Sequence, residues 1–488
     1  MTIRFRILLA MFIIALGISS CRKELSFSEN SAFNIILSTD TITFDTVFTT
    51  LGSSTRQLMV YNNNKENIKI NSIKLGNGSS SFFSINVDGE PGTSFFDKEI
   101  YAGDSLFIFI KVTIDPVNQN NPLFIEDFLV FNTNGNIDTV HLTAYGQDAN
   151  YIIADRTLEG FPKFKVVADS LETAYWTAEK PYVVYGHALI NSYGTLVIEA
   201  GARIYFHNGS GLWAWSEGQL IVNGTIDNPV VFQGDRLESF YQDKAGQWDR
   251  IWLMEAREGG GHYINYAIIK NGFIGIQAER FLKDNKAPLT ITNTIITNHT
   301  GMGIYSHNYH ISASNIVVAN CGNYGLALTG GGWYEFTHGS FLNYWSASTR
   351  TTPNVYLSNI YTDPMTGNLY AYGFEMKMNN SIMYGSKEEE FNTDFYPGTD
   401  SIYTFNNSLV RTQWKSNVFN NCLLNKDPKI LDYENYDYHL DTLSPAIGLG
   451  DPLYSTGILQ MDLDGISRGN SPDAGAYQYV PTEEPSTR

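Results

Sequence analysis

Asn293-Thr294-Ile295-Ile296 returns as Asn315-Ile316-Val317-Val318, and this recurrence decides the fold. The unit is an asparagine, a small or apolar residue, then apolar residues. It recurs at Asn265-Tyr266-Ala267-Ile268, Asn359-Ile360-Tyr361, Asn380-Ser381-Ile382-Met383, Asn407-Ser408-Leu409-Val410 and Asn421-Cys422-Leu423-Leu424, with Gly339-Ser340-Phe341-Leu342 filling one gap. Successive starts lie 28, 22, 24, 20, 21, 27 and 14 residues apart. A period between about 20 and 50 residues marks a solenoid. The repeats are rich in β-branched residues, Asn and Gly, which argues for strands. The last gap is too short for a full turn, so one of the last two units is a partial coil or out of register.

Each bend between strands needs a residue that tolerates the left-handed conformation, and Asn does. Stacked asparagines also bond to each other from coil to coil. Two further punctuations follow within each period. One is Asn271-Gly272, Asn298, Asn320 and Asn343; the other is Gly275-Ile276, Gly303-Ile304 and Gly325-Leu326. Three corners per period predict a triangular coil, so residues 150–480 read as a right-handed parallel β-helix. A propeller needs about 40 or more residues per repeat.

Two stretches carry family resemblances. Gly194-Thr195-Leu196-Val197-Ile198-Glu199-Ala200-Gly201-Ala202-Arg203-Ile204-Tyr205-Phe206 and Gly218-Gln219-Leu220-Ile221-Val222-Asn223-Gly224-Thr225 resemble a coil of bacterial β-helix proteins. Leu196 and Leu220 lie one coil, 24 residues, apart. Trp248 to Trp252 resembles the Trp-x-x-Ile segment that follows such coils. Further on come Ser444-Pro445-Ala446-Ile447-Gly448, Asp462-Leu463-Asp464-Gly465, Arg468 and Asp473-Ala474-Gly475-Ala476-Tyr477. These resemble the closing module of choice-of-anchor Q domain proteins, with Ala474 and Gln478 departing from the usual ending. The resemblance implies a cap over the last coil, shielding its strand edges, with Arg468 and Asp473 pairing or bonding to backbone. It brings a fold rather than an activity.

The other end reads as a targeting segment. Arg4 and Arg6 precede the uncharged run Ile7 to Ile18, which is shorter than the ~20 apolar residues a membrane span needs. Ile18-Ser19-Ser20-Cys21 resembles a bacterial lipobox, which implies a signal peptide over 1–20 and a lipid on Cys21. An ordinary secretory signal is the alternative. Residues 21–31 read as a polar tether, and Lys23 and Glu24 resemble a surface-export signal of Bacteroidota lipoproteins. Residues 32–149 alternate in period two between turns such as Asp88-Gly89 and Asn134-Gly135, which predicts a β-sandwich. The ending Ala144-Tyr145-Gly146-Gln147-Asp148-Ala149 resembles Ig-like domains near the anchor of such lipoproteins. That implies a spacer, with a binding sandwich as the alternative. Residues 481–488 form a tail.

Composition narrows the function. Aromatics are 14% and hydrophobics 43% of the chain, so its bulk is globular. Lys plus Arg is 32 against Asp plus Glu 50, a net charge of -18 that repels nucleic acid. The expected partners are a membrane, through the lipid, and a polysaccharide. No cofactor or metal is expected. Cys321 and Cys422, some five coils or about 24 Å apart, lie far beyond disulfide reach.

Right-handed β-helices include polysaccharide lyases and hydrolases, which need a base or paired carboxylates. Lys270, Arg250, Glu255 and Lys377 are expected to lack acidic neighbours in register. Glu388-Glu389-Glu390 with Asp394 reads as a solvated loop. His307-x-x-His310 has no third ligand, and Asp462-x-Asp464-Gly465 lacks an EF-hand's remaining ligands. No catalytic set stands out. Trp213, Trp215, Trp252, Trp333 and Trp345 are the candidates for stacking on sugar rings, against packing beneath loops or the sandwich. Alternation sets Trp213 and Trp215 on one face of one strand. The expectation is a cell-envelope, outer-membrane lipoprotein, surface-exposed on the export-signal reading, that binds glycan. A polysaccharide-active enzyme and a structural envelope component remain the alternatives.

Overall fold

The computed structural model describes residues 26–48, 55–113, 123–280, 287–362 and 366–481. The signal segment, Cys21 and residues 482–488 of the tail lie outside them. The chain divides into two compact units between Gln147 and Asp148.

The first unit is a β-sandwich. One sheet carries Phe27–Ser28, Asn67–Leu75, Leu123–Thr133, Asn136–Gln147 and Thr41–Phe48 in that order, with Ser94–Ile100 also paired to Asn67–Leu75. The other carries Ile36–Leu37, Arg56–Tyr61, Ser105–Val112, Phe83–Val87 and Glu90–Gly92. Alternation decides which side chains face the core. Along Ser105–Val112, Leu106, Ile108, Ile110 and Val112 point inward while Phe107 and Phe109 are exposed. The predicted tether differs in its last part, because Phe27–Ser28 pairs in parallel with Asn67 and Ile68 at the sheet edge.

The second unit is the parallel β-helix. Each strand pairs in parallel with the third strand along, so three faces stack. Face A begins with Tyr182–Tyr185, Arg203–Phe206, Val230–Gly234 and Ala267–Lys270. Face B begins with His187–Ile190, Gly211–Ala214, Ile251–Met254 and Ile274–Glu279. Face C begins with Thr195–Glu199, Gln219–Asn223 and His262–Asn265. Farther on the strands run through the corners: Met302–Cys321 and Leu326–Asn343 each pass along B, C and A without a break. Like sits over like inside the coil. Ile264, Ile291, Ala313, Phe336, Met378 and Phe405 form one inward row in register, all buried. Full burial of a large apolar side chain contributes about 1.5–3 kcal/mol.

The corner from face C to face A is left-handed at Asn293, Asn315, His338, Asn380, Asn407 and Asn421, with φ between 46° and 55°. Asn315 Nδ2 donates to Asn293 Oδ1 at 3.1 Å, and Asn293 Nδ2 donates to Asn265 Oδ1 at 3.0 Å. Three units depart from the expected register. Ile268 pairs with Ile295, so Tyr266 holds the corner and Asn265 stands one position before it. Ile316 pairs with Gly339, so His338 holds the corner there. Asn359 is off the ladder: it follows the face B strand Val355–Ser358, and its amide donates to Ser401 Oγ. The coil from His338 therefore closes at Asn380, with excursions inserted in it. The short final gap is real. Asn406 pairs with Asn420 and Leu409 with Leu423, while the segment between carries no face B strand. Trp414 from that segment packs edge-on against Phe391 at 5.3 Å.

The C-terminal module lies along face A, and its cluster extends to Leu423 of the last coil. Tyr438, Leu440, Ala446, Leu463, Ala474, Ala476 and Tyr477 pack on Val317, Ala319, Leu342, Ile382, Tyr384 and Leu409, the outward side chains of successive face A strands. Those residues are apolar on both strand parities, so face A needs a cover as well as a core. Arg468 is 2% exposed and donates to Asn315 Oδ1 at 3.0 Å and to the Ala476 carbonyl at 3.0 Å. Asp473 bonds to backbone as expected, accepting from the Gly448 and Tyr479 amides. Asn380 bonds Asp451 in both directions, at 2.8 and 2.9 Å.

Candidate functional site

The five tryptophans fall in three places. Trp213 and Trp252 are successive members of an outward row on face B that continues to Gln277. Trp213 is 4% exposed: His187 lies tilted against it at 4.1 Å, Trp252 meets it edge-on at 5.5 Å and Phe161 closes it at 6.3 Å. The strand ends at Ala214, so Trp215 begins a turn rather than extending the strand, but its ring meets the same Phe161 at 5.4 Å. Packing beneath the segment that carries Phe161 therefore takes much of this surface. Trp345 is 9% exposed, its indole N–H donating to Ser348 Oγ.

Trp333 stands apart, on an open cleft of about 870 Å³ at the corner between faces B and C. Three consecutive glycines, Gly330-Gly331-Gly332, make that corner with φ of 65°, 81° and 117°. A Cβ on Gly331 would lie 2.7 Å from the Gly373 carbonyl, and one on Gly332 would lie 2.6 Å from Tyr334 Oη. Only glycine lets the neighbouring coil approach so closely while the chain turns. His310, Trp333, Glu375 and Ile402 then stand in one outward row, one per coil, at steps of about 4.8 Å. His310 meets the Trp333 ring edge-on at 4.5 Å. Arg280, Asn308, Tyr372 and Asp400 complete the polar lining, with Arg280 Nη2 donating to Asn308 Oδ1 at 2.6 Å.

The charged residues are less isolated than the sequence suggested. Lys377 sits one coil above Glu335 in register and pairs with Glu375 at 3.0 Å, and Glu375 holds its ammonium above the ordinary pKa range. Glu390 is not solvated: its fully buried carboxylate takes a bidentate pair from Arg350 at 2.6 and 2.7 Å, pinning the 344–354 excursion to the coil. Glu255 is buried and accepts from Ser216 Oγ, while Arg250 donates to Asp249 at 2.8 Å. His307 leans on Tyr361 at 4.7 Å. Asp462 Oδ1 accepts from the Asp464 and Ile466 amides, as a turn does. Cys321 and Cys422 are free, and burial pushes their thiols up to about 12 and about 11. Among the described residues no group of three or more His, Cys, Asp or Glu is set to hold a metal.

Arg280, Glu375 and Asp400 were missed from sequence. The signal that finds them is the register. Counting the next coil from Asn359 hides the row from His310 through Trp333 to Glu375, whereas counting from Asn380 aligns it.

Comparison with protein-family models and with curated proteins finds no match to this chain.

Proposed function

We propose that the chain is a cell-envelope lipoprotein, anchored in the outer membrane through Cys21, that presents its β-helix to a glycan at the Trp333 cleft. The observation that carries the glycan is the cleft itself. A partly exposed indole stands among an arginine, an asparagine, a tyrosine and two carboxylates in a space of about 870 Å³. Sugar recognition uses that combination, an apolar ring face against an aromatic and fixed polar groups for the hydroxyls. The lipobox resemblance supports the anchor. The Ig-like resemblance supports a spacer role for the sandwich, and the export-signal resemblance at Lys23 and Glu24 supports surface display. The cleft speaks against a purely structural component.

A second reading has an observation of its own. Arg280 shares the cleft with Glu375 and Asp400, and a cation facing carboxylates is what a polysaccharide lyase or hydrolase requires. Against it, Glu375 is already ion-paired with Lys377.

One experiment tests both. The full chain is screened on a glycan array, and each bound polysaccharide is incubated with it and assayed for unsaturated or reducing ends. Binding without cleavage, weakened at least tenfold or about 1.4 kcal/mol by Trp333→Ala, supports the binding reading. Product formation replaces it with the enzyme. Binding that Trp333→Ala leaves untouched removes the cleft from either.

A further inference from the structure

A second cavity, of about 460 Å³, opens where the corner from face A to face B meets the C-terminal module. Its aromatic walls come from two parts of the chain. Tyr344 and Trp345 follow the face A end of Leu326–Asn343, and Tyr433 and Tyr436 belong to the turn around Tyr433–Asn435. Tyr344 and Tyr433 stack with centroids 4.0 Å apart and planes 16° from parallel. Two carboxylates, Asp243 and Glu434, stand at the exposed side. Asn298 and Asn320 line it too, with their amides engaged: Asn298 Nδ2 donates to Asn271 Oδ1 and to the Asp243 carbonyl, and Asn320 Nδ2 donates to Tyr438 Oη.

The charged side chains that line this cavity have one sign. Among the described residues that line it, none is basic. The cations beside the lining are engaged with other groups, Lys387 donating from Nζ to the Arg350 carbonyl at 3.4 Å. Lys244 lies over the Phe240 ring at 4.7 Å, and Arg350, which donates to Ser386 Oγ, is neutralised by Glu390. Burial, and then the charge of Asp243, pushes the Tyr436 phenol up, so the carboxylate field reaches the aromatic wall. Aromatic ring faces are electronegative and attract cations, more strongly where water is excluded. Carboxylates at the rim add to that attraction and repel anions.

We propose that this cavity binds an ammonium group, of the kind an amino sugar or a choline-type headgroup carries. It is separate from the Trp333 cleft and does not rest on the glycan reading. Trp345, a sugar-stacking candidate in the sequence, here forms part of a cation site.

The test is calorimetric titration of the full chain with glucosamine, choline and N-acetylglucosamine. Saturable binding of glucosamine or choline is expected, and which of the two binds tells an amino sugar from a headgroup. N-acetylglucosamine, which keeps the ring and loses the charge, is expected to bind at least about tenfold more weakly. Asp243→Asn combined with Glu434→Gln changes two exposed positions, and is expected to weaken ammonium binding about tenfold with an unchanged melting transition. Tyr433→Leu should weaken it similarly. The proposal is overturned if neither cation binds, if N-acetylglucosamine binds as tightly as glucosamine, or if the double variant binds like the parent. Trp333→Ala should leave ammonium binding intact, which keeps this outcome distinct from failure of the cleft reading.

Discussion

On face A the outward side chains Val317, Leu342, Ile382 and Leu409 are apolar and lie under the C-terminal module, whereas at the corner between faces B and C the outward row His310, Trp333, Glu375 and Ile402 is mixed and open. Both rows come from neighbouring stretches of the same coils. The inward rows do not distinguish the two sides, because every coil must fill its interior. What an outward residue is tells whether that side of the solenoid is structural or free to meet a ligand. The histidines follow the same division. His262 and His299 sit inside the coil and bond to backbone, His262 donating from Nε2 to the Met254 carbonyl while its Nδ1 accepts from the Leu220 amide. His439 sits on the module between Asp437 at 2.6 Å and Asp464 at 2.8 Å.

The comparison breaks most visibly at Arg468. Arg468→Ala breaks two buried charge-assisted hydrogen bonds, to Asn315 Oδ1 and to the Ala476 carbonyl, at about 1.5–3 kcal/mol each. Urea unfolding followed by tryptophan fluorescence should report that loss. A loss below about 1 kcal/mol would mean that the module adds little to the coils. Ile382→Ala, beneath the same module, is expected to cost about 3 kcal/mol and to expose the module to limited proteolysis.

Two corner asparagines sharpen the contrast. Asn380→Ala strains a left-handed position and loses both bonds to Asp451, so about 2 kcal/mol is expected from the two effects. Asn308→Ala, also left-handed (φ 49°), loses its bond from Arg280 Nη2 as well, but at the open corner the guanidinium turns to water, so about 1 kcal/mol is expected. Equal losses in thermal unfolding would erase the distinction between a covered and an open corner.

The histidines predict opposite pH trends. His439 is raised to about 9, chiefly by its bond to Asp464. Its unfolded value is near 6.5, so its contribution is complete below that pH and is lost as pH rises towards 9. Burial lowers His262 and His299 to about 4. They stay neutral in the coil while the unfolded chain takes up protons, so their contribution is lost as pH falls from 6.5 towards 4. Proteolysis of the module should therefore rise on the alkaline side in the parent, and His439→Gln should flatten that limb alone. A parent whose module is equally resistant at pH 6.5 and 9 would refute the assignment.

The smallest expected change in stability is at the cleft. Trp333→Ala should alter the unfolding free energy by less than about 0.5 kcal/mol while weakening ligand binding. A large destabilisation would make Trp333 a packing residue.

Much of this architecture was readable because a stacked coil repeats its constraints. The Asn293 and Asn315 units state the period, the corner and the inward parity together, and Leu196 and Leu220 do so one face away. Legibility failed where a local pattern imitated the repeat. Asn359-Ile360-Tyr361 has the right composition, but it opens an antiparallel hairpin, Ile360–Thr362 with Leu369–Ala371, that leaves the coil. His338 fills an asparagine's place with a ring whose Nε2 meets the Asn380 amide at 3.2 Å, a substitution that composition cannot announce. The cleft was harder still, because Arg280, Trp333 and Asp400 are brought together only by correct stacking. The flank position of the module was hidden for a related reason. Apolar residues on both parities of Ile316 to Ala319 read as a buried strand without telling what buries them.

The module also changes how the coils depend on one another. In a bare solenoid each turn feels only the turns beside it. Here residues 438–477 touch successive turns from Val317 to Leu409 at once, so those turns are fastened as a block by a stretch made after all of them. Leu196 and Leu220 have no part in that shared cluster, so damage to the module is felt first by the later turns.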